Sequence, residues 1–210
     1  MNIVLIGIQG CGKGTLVAQL EKEYDLSLIS MGQLLRDEIA TGSKLGQEIK
    51  AIIDKGNLVS LDIIKRTLGN KLEKSNKELT VFDGFPRNME QADLLDSISH
   101  VDLVIHLELS KDVALSRILN RLTCSACAYI TKKQAVSDNT CPHCGGKLIT
   151  RSDDTTASIN KRFELYHNET YPLLERYRTQ GLVVDINANQ SPDKVFEEVL
   201  KVINEYNYKK

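Results

Sequence analysis

Tryptophan is absent from these 210 residues, and aromatic residues of all kinds make up 5%. Single-stranded bases stack on exposed aromatics, so that mode of nucleic-acid binding has little to work with. A dominant charge is missing too: 27 Lys and Arg stand against 28 Asp and Glu, a formal net charge of −1. Bulk attraction to a phosphodiester backbone is therefore disfavoured, and any anion bound here must be held by a local cluster of cations. No run of apolar residues is long enough for a membrane-spanning helix. The first residues, Met1-Asn2-Ile3-Val4-Leu5-Ile6, enter an apolar run with no basic segment before it and no cleavage site, unlike a secretory signal. The expectation is a soluble, cytoplasmic protein with no membrane and no nucleic-acid partner. Apolar residues at 41% and charged residues at 26% are ordinary globular values. The length suits one core carrying a small insert.

Short apolar runs alternate with helical spacing. Ile3–Ile6, Leu26–Ile29, Leu79–Phe82, Leu103–Leu107 and Leu182–Val184 are mostly continuous, which suits strands buried on both faces of a parallel sheet. Between them, Leu16/Leu20, Leu45/Ile49/Ile52/Ile53, Ile63/Ile64/Leu68/Leu72 and Val195/Val199/Val202/Ile203 recur at helical intervals. Parallel neighbours need crossovers, so the pattern predicts a doubly wound α/β domain with five core strands. Residues 122 to 152 break it, with four of the five Cys and little apolar periodicity. The basic end Tyr208-Lys209-Lys210 reads as a solvated tail.

Gly7-Ile8-Gln9-Gly10-Cys11-Gly12-Lys13-Gly14-Thr15 follows the first strand and opens the first helix. Glycines there let backbone N–H groups converge on one phosphate, the helix N-terminus adds positive potential, and Lys13 can reach the outer phosphates. Gly14 replaces the usual Ser or Thr after the lysine, and Thr15 comes one residue later. Cys11 reads as a small residue fitted beside backbone, the alternative being a reactive thiol at a helix N-terminus.

In a cytosolic setting paired cysteines point to metal or redox chemistry before disulfides. Cys124-x-x-Cys127 and Cys141-x-x-Cys144 form two knuckles, each able to present two thiolates to one ion. Four sulfur ligands leave no open position, so the predicted site is a structural zinc. It would order a lobe that has no hydrophobic core of its own. His143 falls inside the second knuckle and is expected to face solvent. A redox dithiol does not explain two paired motifs.

Asp83-Gly84-Phe85-Pro86-Arg87 follows the third strand, at the sheet edge where ligands bind in this architecture. It joins Arg36, Arg117, Arg121, Arg151 and Arg162. Arg117 and Arg121 are four apart, the spacing of one helix face, and Arg151 and Arg162 are eleven apart, three helical turns. Together they acquire meaning if the cysteine lobe closes over phosphates, which guanidinium groups bind as forks.

On these residues the chain resembles the nucleoside monophosphate kinases, specifically the long-form adenylate kinases with a zinc-bearing lid. The likeness runs through Gly7–Thr15, Ile29–Arg36, Gly56–Val59, Asp83–Arg87 with Gln91, Arg117-x-x-x-Arg121, the Cys pairs, and Arg151-x-Asp153-Asp154 with Arg162. It implies a P-loop three-layer α/β/α fold with a five-stranded parallel sheet. The core would be 1–29, 60–121 and 153–210, the helical monophosphate-binding lobe 30–59, and the zinc-ribbon lid 122–152. It implies a monomer that transfers a phosphoryl group reversibly from MgATP to AMP, giving two ADP. By this resemblance Gly10, Cys11, Gly12, Lys13, Gly14 and Thr15 hold the donor phosphates. Arg121 touches the donor, and Gln190 meets its base through backbone. Arg36 and Arg87 bind the acceptor phosphate. Met31, Asn57, Leu58, Val59, Gly84, Phe85, Pro86 and Gln91 line the rest of the acceptor's site, Gln91 reading the base. Arg117, Arg151 and Arg162 surround the migrating group, and Asp83 positions magnesium through water. The family usually carries Pro at Gln9, Thr at Met31 and Asp at Gln33. Met31 leaves open a kinase preferring UMP or CMP. A GTP-binding switch would need an Asn-Lys-x-Asp segment, which is absent. A zinc-ribbon nucleic-acid binder would need more cations than Lys132, Lys133 and Lys147.

Overall fold

A computed structural model of the chain describes residues 1–69 and 77–208. Its main sheet holds β1 (Asn2–Ile6), β2 (Leu26–Ser30), β3 (Leu79–Asp83), β4 (Leu103–Glu108) and β8 (Val183–Asn187). All four neighbour pairings are parallel, in the order β2-β3-β1-β4-β8. The five expected strands are these five; the last starts and ends later than its apolar run, because Asp185 and Asn187 continue it in register with His106 and Glu108.

Alternate side chains of each strand point to opposite faces, so the continuous apolar runs feed two cores. Ile3, Leu5, Val81 and Ile105 pack on one face against α1 (Lys13–Glu23), α6 (Lys111–Leu119), α7 (Thr156–Leu165) and α9 (Pro192–Tyr208). Val4, Ile6, Phe82 and Val104 pack on the other against α5 (Met89–Ile98) and α8 (Tyr171–Thr179). The same cluster takes in α2 (Met31–Ala40), α3 (Lys44–Ile53) and α4 (Leu61–Leu68). Ile3, Val4, Val104 and Ile105 are each wholly buried, and a side chain so placed contributes about 1.5–3 kcal/mol relative to an exposed one. Ile63, Ile64 and Leu68 face the core from α4 as their spacing predicts. Leu72 lies outside the described residues, as do Lys209 and Lys210.

The cysteine segment forms a separate three-stranded sheet in the order β6-β5-β7: β5 (Arg121–Cys124), β6 (Ile130–Lys132) and β7 (Leu148–Ile149). The absence of a core there, expected from sequence, needs correction. Leu122, Cys124, Cys141 and Leu148 are buried together with Val136 against them. Two of those four are cysteines, so a metal there would sit in the middle of the lobe's only apolar cluster among the described residues.

Two helical placements also need correction. Arg117 is on α6, but α6 ends at Leu119 and Arg121 opens β5, paired with Lys132 of β6. Asn120 between them leaves helical geometry, so the two arginines share no helix face. Arg151 lies in the turn after β7, where Asp154 N–H bonds back to its carbonyl. α7 starts only at Thr156, with the Thr155 hydroxyl accepting from Ser158 N–H as its N-cap.

Candidate active site

The loop from β1 into α1 turns through Gly10 (φ 88°) and Gly12 (φ 109°), backbone conformations that side chains other than glycine rarely adopt. Gly12 is the N-cap of α1, which has neither a side-chain cap nor an acidic residue in its first turn. The positive end of the helix is therefore left to an incoming anion. Lys13 folds back over the loop, donating to the Gly7 carbonyl at 2.6 Å and the Ile8 carbonyl at 3.3 Å. Cys11 is buried, with Sγ 3.4 Å from Lys13 Nζ. That fits the small-residue reading of this position.

Across the sheet edge, Asp83 ends β3 and accepts from the Ser30 hydroxyl at 3.2 Å. Arg87 follows a cis Phe85–Pro86 bond. Its Nε donates to the Gly84 carbonyl at 2.9 Å, and its backbone N–H donates to Gln91 Oε1 at 2.8 Å. Gln91 is buried, and its backbone N–H donates to Oδ1 of Asn88, the N-cap of α5. With its carbonyl held by Arg87, the amide NH2 of Gln91 is the part left for a ligand. Gln91 lines a cavity of about 560 Å³ with Asn57, Leu58, Val59 and Ile52. Arg36, on α2, is steadied by Gln33 Oε1, which accepts from its Nε and Nη2. Met31 is buried at the start of that helix.

Between these two regions the guanidinium groups gather. Burial pulls Arg36 below its ordinary value; Arg121 adds to that, while Asp153, Asp83 and Asp37 oppose it. Burial lowers Arg87 likewise, opposed by Asp83 and reinforced by Arg162 and Arg36. Burial, then Arg121 and Arg36, take Arg151 down to about 10, still a cation at neutral pH. Arg36, Arg87, Arg121, Arg151 and Arg162 thus sit within one another's fields, with Asp83, Asp153 and Asp154 as counter-charges. Arg121 Nη2 donates to Asp154 Oδ2 and Arg162 Nη2 to Asp153 Oδ2, both at 2.6 Å. Arg162 also reaches the Ile53 carbonyl of α3 at 3.2 Å, and Arg151 Nε donates to Thr123 Oγ1 at 3.1 Å. With Asp37 as a fourth carboxylate, the five cations still leave an excess that an anion would neutralise. Arg121 Nε, buried with no partner among the described residues, is a donor already stripped of water.

Arg117 and Gln190 sit elsewhere. Arg117 bridges the Cys11 carbonyl (3.4 Å) and the Ala188 carbonyl (2.9 Å), tying the phosphate loop to the turn after β8. Gln190, in that turn, donates to Glu198 of α9 at 2.9 Å. Sequence reasoning gave no role to Asp153, Asp154, Gln33 or Thr123, the groups that hold the arginines. The acidic pair between Arg151 and Arg162 was the available signal.

In the lid the four cysteine Sγ atoms lie within 4.8 Å of one another. Cys124 and Cys144 Sγ are 3.5 Å apart, and Cys127 and Cys141 Sγ 3.7 Å. A tetrahedron with metal–sulfur bonds of about 2.3 Å has edges of about 3.8 Å, so the spacing fits a tetrathiolate ion. Backbone N–H groups of Ala126 and His143 point at Cys124 and Cys141 Sγ, each at 3.4 Å. A hydrogen bond from the Cys127 backbone N–H is the largest influence drawing the Cys124 thiol down to about 6. At Cys127 the Tyr129 backbone N–H lowers the thiol, but hydrogen bonds with the neighbouring thiols and burial outweigh it and push Cys127 up to about 12, so the cluster's thiols share their protons unevenly. A Cβ at Gly146 would stand 3.0 Å from Cys124 Sγ and 2.9 Å from Ala126 Cβ, so the chain passes this cluster too closely for a side chain. His143 is exposed and stacks on Tyr129 with ring centroids 5.9 Å apart.

The sequence profile of the family described as Adenylate kinase matches residues 5–182. Among curated relatives, a protein named adenylate kinase from Treponema denticola is 38% identical over 93% of this chain and 95% of its own. One of that name from Caldanaerobacter subterraneus subsp. tengcongensis is 36% identical over 97% and 96%. Another from Methanosarcina acetivorans is 34% identical over 98% of this chain and 100% of its own.

Proposed function

The chain belongs to the adenylate kinase family and is a nucleoside monophosphate kinase that transfers a phosphoryl group between ATP and AMP, giving two ADP; from that premise we propose how its residues divide the work. Residues 1–29, 60–121 and 153–210 act as the core, 30–59 as the monophosphate lobe and 122–152 as the lid. The loop Gly10–Thr15 and Arg121 hold the donor's phosphates, with Lys13 following the migrating group. Gln190 meets the donor's base through backbone, and Arg117, tied to the phosphate loop by its bond to the Cys11 carbonyl, joins the groups around the migrating phosphoryl. Arg36 and Arg87 hold the acceptor's phosphate. Asn57, Leu58, Val59 and Gln91 accept its adenosine, with Met31 and Gly84–Pro86 completing the wall. Arg151 and Arg162 reach the bridging phosphoryl from the lid side.

The observation that carries this is the meeting of five guanidinium groups from α2, the turn after β3, the lid and α7 around an electrostatic excess. Phosphoryl transfer asks for alignment, neutralised charge and excluded water rather than covalent work by the protein. Guanidinium groups brought in by separate lobes supply all three only when both substrates are in place, which suppresses hydrolysis.

Two metals fit the residues. Asp83 offers a hard carboxylate that would position magnesium through water, and the ion would neutralise and align the substrate phosphates. Cys124, Cys127, Cys141 and Cys144 fit zinc, which would staple the lid and take no part in the chemistry. Among the described residues no helix is long and apolar enough to cross a membrane; a cytoplasmic monomer working on free nucleotides is proposed on the family likeness alone.

Coupled measurement of ADP formed from MgATP with AMP, UMP and CMP in turn tests the assignment. AMP should be the best acceptor, with two ADP per ATP consumed. A preference for UMP or CMP, or ATP loss independent of any monophosphate, would reject it.

A further inference from the structure

Gln9 is the one long polar side chain between Gly7 and Gly12, in a loop otherwise built of glycine, Ile8 and Cys11. Its amide reaches 145 residues along the sequence, Nε2 donating to Asp154 Oδ1 at 3.1 Å. The other oxygen of that carboxylate takes the Arg121 Nη2 bond, and Arg162 Nη1 stands 3.6 Å from Oδ1. Asp154 is 2% exposed, so it has given up water and depends on these donors. The carboxylate also fixes which way the amide points, since the reverse orientation would set two oxygens against each other.

Arg121 opens the lid's first strand and Asp154 lies just beyond its last. Of the donors to Asp154 among the described residues, Gln9 alone comes from the phosphate loop. A second observation bears on the same spot. Gln9 Oε1 and Arg121 Nε are both buried without a partner. Each of the two side chains is thus held to Asp154 by one end and keeps a second polar atom unspent beside the loop, an acceptor and a donor.

We propose that Gln9 is a positioning residue for the donor nucleotide: it fastens Asp154, at the root of the lid, to the phosphate loop and so aims Arg121 over the phosphates that the loop holds. This rests on the assignment of the loop to the donor. A hydrogen bond between a neutral amide and a buried carboxylate counts only while the lid root lies against the loop. Removing it shifts the lid toward the open arrangement and weakens MgATP without touching the acceptor's pocket.

The test compares wild type with Gln9→Met, which keeps length and loses the donor, and Gln9→Glu, which sets a second carboxyl against Asp154. Gln9→Met should raise KM and Kd for MgATP about tenfold, leaving KM for AMP within about twofold. Gln9→Glu should be worse than Gln9→Met near pH 8, where like charges repel. It should improve toward wild type near about pH 5.5, as the shared proton restores a donor. A role in packing alone would leave that defect independent of pH. Unchanged MgATP affinity in Gln9→Met, equal losses for both nucleotides, or a Gln9→Glu defect that ignores pH would overturn the proposal. If wild type formed no ADP, the reaction assignment would fail first. Calorimetric MgATP affinity of the same three proteins would still decide on Gln9, with equal affinities refuting it.

Discussion

Replacing Arg87 by Ala separates the two nucleotide sites most sharply. Its side chain is half-buried, its Nε is committed to the Gly84 carbonyl, and its backbone is braced by Gln91 and by the Thr170 hydroxyl. The two terminal nitrogens carry no hydrogen bond among the described residues, so they form a fork held ready for an anion. A hydrogen bond to a charged group is worth about 1.5–3 kcal/mol, so losing both costs about 3 kcal/mol or more. That corresponds to a fall of about a hundredfold or more in kcat/KM for AMP. Arg87→Lys keeps the charge but not the fork and should fall between Arg87→Ala and wild type. KM for MgATP should move by less than about threefold, because this binding term belongs to one substrate only. The assay is steady-state ADP formation with each nucleotide varied at saturation of the other, with thermal unfolding confirming that both variants are folded. Equal losses for AMP and MgATP would refute the division of the site, and so would a loss for neither.

Arg121→Ala should raise KM for MgATP and lower kcat by about 10³-fold, as loss of a transition-state arginine does in related chemistry, with KM for AMP nearly unchanged; initial rates would show it. Chelation should release a single equivalent of zinc and abolish turnover. Far-UV circular dichroism should meanwhile keep most of its amplitude, because both cores of the main sheet are independent of the lid. Asp153 supplies a pH test. Burial pushes its carboxyl up, but Arg162's charge and hydrogen bond outweigh that and hold it below the usual range. A depressed folded value means stability that is complete above about pH 4 and lost as pH falls through the folded value. The stability gap between wild type and Asp153→Asn, followed by urea unfolding, should therefore hold above about pH 4 and narrow from there toward about pH 2. A gap that widened on acidification would contradict the pairing.

The parallel sheet was legible because its strands are built on short, mostly continuous apolar runs, the pattern of burial on both faces, although the edge strands β2 and β8 also carry Ser27, Ser30, Asp185 and Asn187. The phosphate loop and the cysteine pairs were legible because their chemistry demands fixed short spacings. The arginine cluster was legible only as a family likeness. Arg36, Arg87, Arg121, Arg151 and Arg162 come from separate elements, and local spacing misled where it was applied. Arg117 and Arg121 look like one helix face, but α6 ends at Leu119 and β5 begins at Arg121. The side chains that aim the arginines escaped notice for the same reason. Gln33 and Thr123 are ordinary residues whose meaning is set by a guanidinium across a hydrogen bond. Asp154 acts through partners 33 and 145 positions away, and no window of sequence contains both.

A crystal structure of the chain with MgATP and AMP analogues bound together tests most directly whether arginines from five separate places in the fold converge on one transferred group. The expected result has terminal nitrogens of Arg36, Arg87, Arg121, Arg151 and Arg162 within about 3.2 Å of phosphate oxygens, under a lid still fastened at Asp154. Guanidinium groups turned toward solvent, or paired only with Asp153 and Asp154 while the phosphates lay elsewhere, would contradict it.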